Sequence, residues 1–190
     1  MEMLGNRRLG VTQQQAWDAL NDPETLKKCI PGCDRFELTG ENEYSVGLAL
    51  KIGPVSAKFS GKVTLADILA PDSYRLSFEG QGGVAGFAKG ASSVSLKPVV
   101  DGGEGCELDY TVQAQVGGKI AQMGQRLIDG AAKSTADDFF KRFDAEMQSR
   151  YGPPPEAADE APAEKVGAVA GFMQKLGIGK KADTDNKDPG

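Results

Sequence analysis

The sequence contains no histidine, which limits the chemistry open to the protein. Imidazole is the usual general base near neutral pH, so triads that use histidine and zinc sites ligated by histidine are excluded. Cysteine is scarce as well, with only Cys29, Cys33 and Cys106. Cys29 and Cys33 have three residues between them, whereas a redox pair usually has two, and a structural metal site needs four ligands. We therefore predict no catalytic residues and no metal site.

Long apolar runs are also absent. No stretch of about 18 consecutive apolar residues exists, and the first residues, MEMLGNRRLG, lack the apolar segment of a signal peptide. Together with the odd number of cysteines, this pattern favours a reducing, cytoplasmic location, with any membrane contact peripheral and at the inner face of the cell membrane. The formal net charge of −5 provides no long-range attraction for phosphate backbones, so nucleic acid is not an expected partner.

The chain contains enough sequence with regular apolar spacing to form one domain. From residue 34 to 116, apolar residues recur at every second position, which is typical of strands with one buried face. Turns at Gly53-Pro54 and Pro71-Asp72 divide this region, so the strands are predicted to form an antiparallel meander. With a possible short strand in residues 1–11, the sheet is predicted to have about six or seven strands.

Helical patterns flank the predicted strands. Thr12 has the spacing of an N-cap before a first short helix, and Asp22 has that of a cap before a second. After the two glycines that follow Val116, apolar spacings of three and four predict one long helix over about residues 120–150. The expected fold is α+β and of the helix-grip type. In that fold a curved antiparallel sheet wraps around the long C-terminal helix, and two short helices near the N-terminus close one end.

A sheet that wraps around a helix can leave a hollow between them, and the side chains predicted to face this hollow are almost all apolar. Such a cavity suits an oily ligand, with Tyr110 as the main polar group. The glycine-dense segment 80–90 lacks the residue order of a phosphate loop and is predicted to be a hairpin or mobile flap carrying Phe87. The alternative for segment 80–90 is a loose loop between strands. The alternative for the predicted cavity is that the apolar residues assigned to its wall simply fill the core. The predicted ligand-binding residues are Val46, Leu48, Leu50, Phe59, Leu76, Phe78, Phe87, Tyr110, Val112, Met123 and Leu127.

The C-terminal part of the chain has a different composition. The domain is predicted to span residues 1–151, followed by a flexible Pro/Ala/Glu linker at 152–163, an amphipathic helix at 164–181 and a disordered tail at 182–190. That helix can lie on an anionic bilayer, dock in the groove of a partner protein, or cover the domain's own cavity. Its predicted membrane or partner contacts are Val166, Val169, Phe172, Met173, Lys175, Leu176, Lys180 and Lys181.

Four sequence segments carry a family resemblance over about residues 1–147. They are AWDALNDPETLKKCIPGC, KIGPVSAKFSGKV, GQGGVAGFAKGAS, and VGGKIAQMGQRLIDGAAK running into DDFFKRF. With these segments the chain resembles the CoxG family, the G subunit of carbon monoxide dehydrogenase, which lies within the START/Bet v1-like (SRPBCC) superfamily of helix-grip domains.

The resemblance implies an accessory protein of a molybdenum-containing CO dehydrogenase, or of a related molybdenum hydroxylase, and not a catalytic subunit. Such proteins are linked to membrane association of the enzyme and to the respiratory quinone that takes its electrons. The hypothesis is therefore a carrier of an isoprenoid quinone, menaquinone or ubiquinone, between the membrane and the dehydrogenase. The alternative is a recruitment or assembly factor that carries nothing. A third possibility, a cyclase-like enzyme on this fold, is weakened by the missing histidine and the lack of converging acids.

Overall fold

A seven-stranded antiparallel sheet is the main element of the computed structural model, which describes residues 1–100 and 105–152. The order across the sheet is β1-β7-β6-β5-β4-β3-β2, so consecutive strands are neighbours except that β1 pairs with β7. The sheet and its helices confirm the predicted α+β helix-grip fold. The strands are β1 (Glu2–Leu9), β2 (Cys33–Gly40), β3 (Glu43–Ile52), β4 (Val55–Leu69), β5 (Ser73–Gln81), β6 (Phe87–Pro98) and β7 (Cys106–Gly117).

The two short helices begin at the predicted caps. They are α1 (Gln13–Leu20) and α2 (Pro23–Cys29). The Thr12 hydroxyl accepts a hydrogen bond from the Gln15 backbone N–H, and the Gln15 side chain accepts one from the Thr12 N–H. This reciprocal pair satisfies two N–H groups that the first helical turn leaves without partners. Asp22 caps α2 with a single hydrogen bond, which its Oδ1 accepts from the Glu24 N–H.

The long helix, α3 (Gln125–Tyr151), begins later than its apolar spacing predicts. Residues 121–123 form a separate short 3-10 turn, and Gly124 then adopts φ 89° and ψ 150°. That backbone conformation cannot continue a right-handed helix, and glycine adopts it without steric cost. The helix is therefore 27 residues long, and Met123 lies outside it.

Large side chains fill the space between the sheet and the second half of α3. Phe143 is fully buried there, and Trp17 of α1 meets Tyr74 of β5 edge to face, with ring centroids 5.6 Å apart. Smaller apolar clusters form at two other places on the sheet. One contains Phe36, Tyr44 and Val46; the other contains Phe59, Ala85 and Ile120.

A buried polar contact joins α2 to the last turn of α3. The Thr25 hydroxyl donates to Asp22 Oδ2 at 2.5 Å and accepts from Arg150 Nη2 at 2.6 Å, and Thr25 is fully buried. The hydrogen bond from Thr25 is the main reason why the pKa of Asp22 lies below its usual value. Arg150 also donates a hydrogen bond to Glu146. The network therefore connects three charged side chains, Asp22, Arg150 and Glu146, through the Thr25 hydroxyl.

Within residues 1–100 and 105–152, no helix combines the length and apolar character that crossing a membrane requires. The predicted tail helix at 164–181, with its contact residues from Val166 to Lys181, lies outside the described residues. So does the segment at 182–190, and so does the predicted linker apart from Gly152.

Replacing Thr25 by valine should lower the free energy of unfolding by about 1–3 kcal/mol, because Asp22 and Arg150 lose a buried partner. The change should be measured by urea denaturation. The matched control is Thr39→Val, because the Thr39 hydroxyl makes an exposed hydrogen bond to the Glu43 carbonyl, so this change should have a much smaller effect. Equal stability losses in the two variants would contradict the proposed role of the buried contact.

Candidate functional site

A cavity of about 490 Å³ lies between the inner face of the sheet and the first half of α3. Its wall is predominantly apolar and comes from β1, the five strands β3–β7, the turn after α2 and the long helix. The volume lies within the roughly 300–1,000 Å³ typical of small-molecule sites. The cavity is therefore a candidate binding site for an apolar molecule.

Small residues on the sheet create one side of the space. Gly80 pairs with Gly61 on one neighbouring strand and with Ala88 on the other, and all three line the cavity. Ser92 and Ala114 continue this patch on β6 and β7. A Cβ at Gly61 would lie 2.1 Å from the Glu79 carbonyl oxygen, so the close approach of the strands requires glycine there.

Small residues on α3 create the opposite side. Ala131, Ala132, Thr135 and Ala136 line the cavity, and their spacing puts them on one face of the helix. Further along the helix the wall residues become large, with Phe139 and Phe140 closing the space. These four small residues were absent from the predicted wall, because the sequence reasoning counted only large apolar side chains. Alanines at helical spacing in AAKSTA were the available signal.

Seven of the eleven predicted ligand-binding residues lie on the cavity wall. They are Val46, Leu48, Leu50, Phe59, Phe78, Tyr110 and Val112. The pairing of the strands explains this grouping, because alternate residues of each strand point to the same side of the sheet. Whether these residues bind a ligand stays a prediction.

Leu76 and Phe87 do not line the cavity, which corrects the predicted wall. Leu76 faces inward but packs against the main core, where larger side chains already fill the space. Phe87 is the first residue of β6, and its ring lies directly over Gly117 of β7. The segment before it is a hairpin connection, as one predicted alternative had it, with a 3-10 turn at Gly83–Ala85.

Met123 and Leu127 also lie away from the wall, because α3 begins only after Gly124. Met123 belongs to the preceding 3-10 turn. Leu127 is 48% exposed on the first turn of α3. Its side chain lies beside Gly53 in the turn between β3 and β4. Its neighbour Ile128 takes the inward position and lines the cavity.

Three hydroxyl-bearing residues line the apolar wall, and one hydroxyl already has a partner. Thr135 Oγ1 donates to the Ala131 carbonyl at 2.8 Å. Tyr110 and Ser92 lie on neighbouring strands as diagonal neighbours, since Ser92 pairs with Val112. The Tyr110 ring contacts Phe140 with centroids 5.6 Å apart, which holds it in place. The tip of the Tyr110 ring, with its hydroxyl, lies over Gly5 of β1. Tyr110 and Ser92 are therefore the candidate O–H donors of the wall for a ligand with carbonyl acceptors.

The cavity adjoins a surface cleft beside the turn that follows α2. Pro31, Leu50, Lys51, Ala131 and Thr135 line both the cavity and this cleft. The cleft lies between that turn, the end of β3 and the start of α3. We call this cleft the entrance, since a ligand that reached the cavity through it would pass between these five residues.

The cysteines contribute no reactive thiol to the site. Burial raises the pKa of Cys106 to about 11 and also raises the pKa values of Cys29 and Cys33. Thiols with raised pKa values stay protonated near neutral pH and are poor nucleophiles and metal ligands. All three are free of disulfides. In the described part of the chain, no group of three or more His, Cys, Asp or Glu residues is arranged to hold a metal ion.

The chain resembles known proteins in both sequence and fold. Residues 5–148 match the family model for the G subunit of carbon monoxide dehydrogenase (CoxG). A conserved protein from Geobacillus kaustophilus is similar, with 38% identity, a TM-score of 0.74, and coverage of 78% of this chain and 96% of that one. A START superfamily protein from Mycobacterium smegmatis shares the fold at 10% identity and a TM-score of 0.61, covering 78% and 97% of the two chains. No curated protein matches the sequence.

Filling the cavity should block binding without unfolding the protein. Ala132→Phe places a ring in the space, so affinity for an uncharged apolar dye such as Nile red should fall about tenfold or more. Fluorescence titration measures the affinity, and thermal melting checks the fold. Ala145→Phe, at an exposed position on the same helix, should leave dye binding unchanged. Equal dye affinity in both variants would place the binding site elsewhere.

Proposed function

The chain belongs to the CoxG family, the G subunit of carbon monoxide dehydrogenase, and from this premise we propose that it carries a lipophilic quinone for a molybdenum-containing CO dehydrogenase or related hydroxylase. In this proposal the cavity takes a menaquinone or ubiquinone from the inner face of the membrane and presents it to the enzyme, which supplies the electrons. The chain acts as an accessory protein and catalyses no bond change itself.

The observation that carries the proposal is an apolar cavity whose wall includes two hydroxyl-bearing residues, Tyr110 and Ser92, as candidate donors. A respiratory quinone has a flat ring with two carbonyl acceptors and a hydrocarbon tail. Tyr110 and Ser92 can donate to a carbonyl, while residues such as Leu48, Phe59 and Val112 cover the ring faces. Burial of apolar surface provides the main driving force, at about 25 cal/mol per Å².

The size of the cavity suggests how a long-tailed quinone would be held. About 490 Å³ accommodates a molecule of ordinary drug size, which corresponds to the ring and the nearest part of the tail. The rest of an isoprenoid chain would then leave through the entrance between Pro31 and Ala131. This arrangement keeps the redox-active ring inside the protein and the flexible tail near the surface.

Membrane contact through the amphipathic segment 164–181 remains part of the proposal. Its apolar residues, edged by lysines, suit the headgroup region of an anionic bilayer, with about 1 kcal/mol per nearby lysine. The Pro/Ala/Glu linker predicted at 152–163 would let the cavity domain reach both the bilayer and the dehydrogenase.

Tyr110→Phe should weaken quinone binding about two- to tenfold, because one hydrogen bond to a carbonyl contributes about 0.5–1.5 kcal/mol. Binding is measured by titrating the purified protein with a short-tailed menaquinone analogue. Tyr44→Phe is the matched control, because Tyr44 is buried but does not itself line the cavity, so the loss of its hydroxyl should not change quinone affinity. An unchanged affinity in Tyr110→Phe would remove this hydroxyl from the site.

Removal of residues 153–190 separates the carrier from the recruitment factor. Residues Met1–Gly152 form a compact unit that contains the whole cavity, so the shortened protein should still bind quinone supplied in detergent. Quinone content is measured by solvent extraction and chromatography. If neither the full chain nor the shortened one binds quinone, while the full chain still brings the dehydrogenase to membranes, the protein is a recruitment factor.

A further inference from the structure

We propose that the end of the sheet beside the entrance is itself a surface that contacts anionic lipid. This inference rests on the proposed quinone carriage for its purpose, but its evidence is separate. The surface consists of three segments, residues 51–58, 81–89 and 117–130, which we call the entrance rim. It contains two exposed aliphatic side chains and five cations, and all of its residues belong to the folded domain.

The three segments come together because the sheet is antiparallel. The β3–β4 turn, the β5–β6 connection and the start of the β7–α3 connection all lie at the same end of their strands. The Ile120 N–H donates to the Ala85 carbonyl at 2.9 Å, which joins the second segment to the third. A side chain built at Gly53 would contact Leu127 at 3.6 Å, which places the first segment beside the third.

Two aliphatic side chains project from this rim into solvent. Val84 is 91% exposed in the middle of the short 3-10 turn, while the next residue, Ala85, is buried. Leu127 is 48% exposed at the start of α3, next to buried Ile128. In both pairs one residue anchors the segment in the fold and its neighbour points away from it. Packing therefore accounts for Ala85 and Ile128 and does not require an apolar residue at 84 or 127.

Charge is distributed unevenly between the two ends of the sheet. The rim contains one acid, Asp129, and five cations: Lys51, Lys58, Lys89, Lys119 and Arg126. Among the described residues, none of these five cations forms an ion pair. At the opposite end, residues 37–43 and 67–72 contain five acids and no cation. In a protein of net charge −5, this polarity would turn the entrance toward an anionic surface and the other end away from it.

The character of the rim favours lipid over a protein partner. Protein interfaces depend on clusters of aromatic and arginine side chains packed into complementary pockets. The rim instead has two separate aliphatic side chains, one in a 3-10 turn and one in the first turn of α3, among mostly lysine cations. This is the pattern of surfaces that insert into the headgroup region. Contact there would place the entrance against the bilayer, so that a quinone could enter without crossing water.

The test compares two double variants of the full chain. Val84→Asp with Leu127→Asp alters the rim, whereas Leu38→Asp with Leu69→Asp alters residues that are 61% and 65% exposed near the opposite end of the sheet. Binding is measured by sedimentation with phosphatidylcholine vesicles, with and without phosphatidylglycerol. The rim variant should bind the anionic vesicles about tenfold more weakly than the unmodified chain, and the control should bind them normally. Equal affinities for both variants would overturn the proposal.

A second measurement separates the rim from the C-terminal segment as the point of contact. An environment-sensitive dye attached at Val84→Cys should shift to an apolar signal on anionic vesicles, while the same dye at Leu38→Cys should not. A dye at position 84 that stays in water on vesicle-bound protein would overturn the proposal. So would a rim variant that binds vesicles normally but fails to bind the dehydrogenase.

The outcome is independent of the quinone proposal. Val84→Asp should bind a quinone analogue supplied in detergent as the unmodified chain does, because Val84 does not line the cavity. If the unmodified chain inserts position 84 into vesicles but binds no quinone, only the carrier function fails. If it binds quinone but position 84 stays in water, only the lipid surface fails.

Discussion

The cavity depends on a steric constraint. Two patches of small residues, one on the sheet and one on α3, face each other, and their side chains are too short to meet across the space between them. On the sheet, Gly61, Gly80 and Ala88 have little or no side chain, and on α3 Ala132 and Ala136 face them. The distance between sheet and helix is set elsewhere, by large side chains packed between the sheet and the second half of α3. The backbone elements are therefore held apart where the small residues meet, and the space between them stays open.

The chemistry of the wall follows from the same arrangement. Inward positions on strands are apolar because they pack the core, so a gap among them is apolar too. Most backbone groups around it are already paired in the sheet ladder or the helix, and the Thr135 hydroxyl is occupied by a carbonyl. Only a few side-chain groups, Tyr110 and Ser92 among them, can bond a guest. A site of this kind favours an oily molecule with carbonyl acceptors, as the proposed quinone is.

Local rules predicted much of the fold because they depend on neighbouring residues. Thr12 and Asp22 cap helices through N–H groups two or three positions away. The alternation of apolar and polar residues likewise depends only on the sequence of each strand. The start of α3 was predicted too early, because Gly124 adopts a non-helical backbone conformation that ends the helix there despite the apolar spacing on either side. Phe87 was predicted to bind the ligand as the aromatic residue of a glycine-rich flap. Its ring instead covers Gly117 on the adjacent strand, a contact that depends on the sheet register.

The sequence alone determined the number and order of the elements, the alternation that divides inner from outer faces, and the family to which the chain belongs. These features follow from residue spacing, which is visible along one dimension. The tertiary structure decided which inward residues fill space and which line the cavity. It also decided that five cations from three separate segments lie at the end of the sheet beside the entrance. Both depend on distances between segments far apart in the chain. A small residue leaves a cavity beside it only where the side chain facing it is small as well.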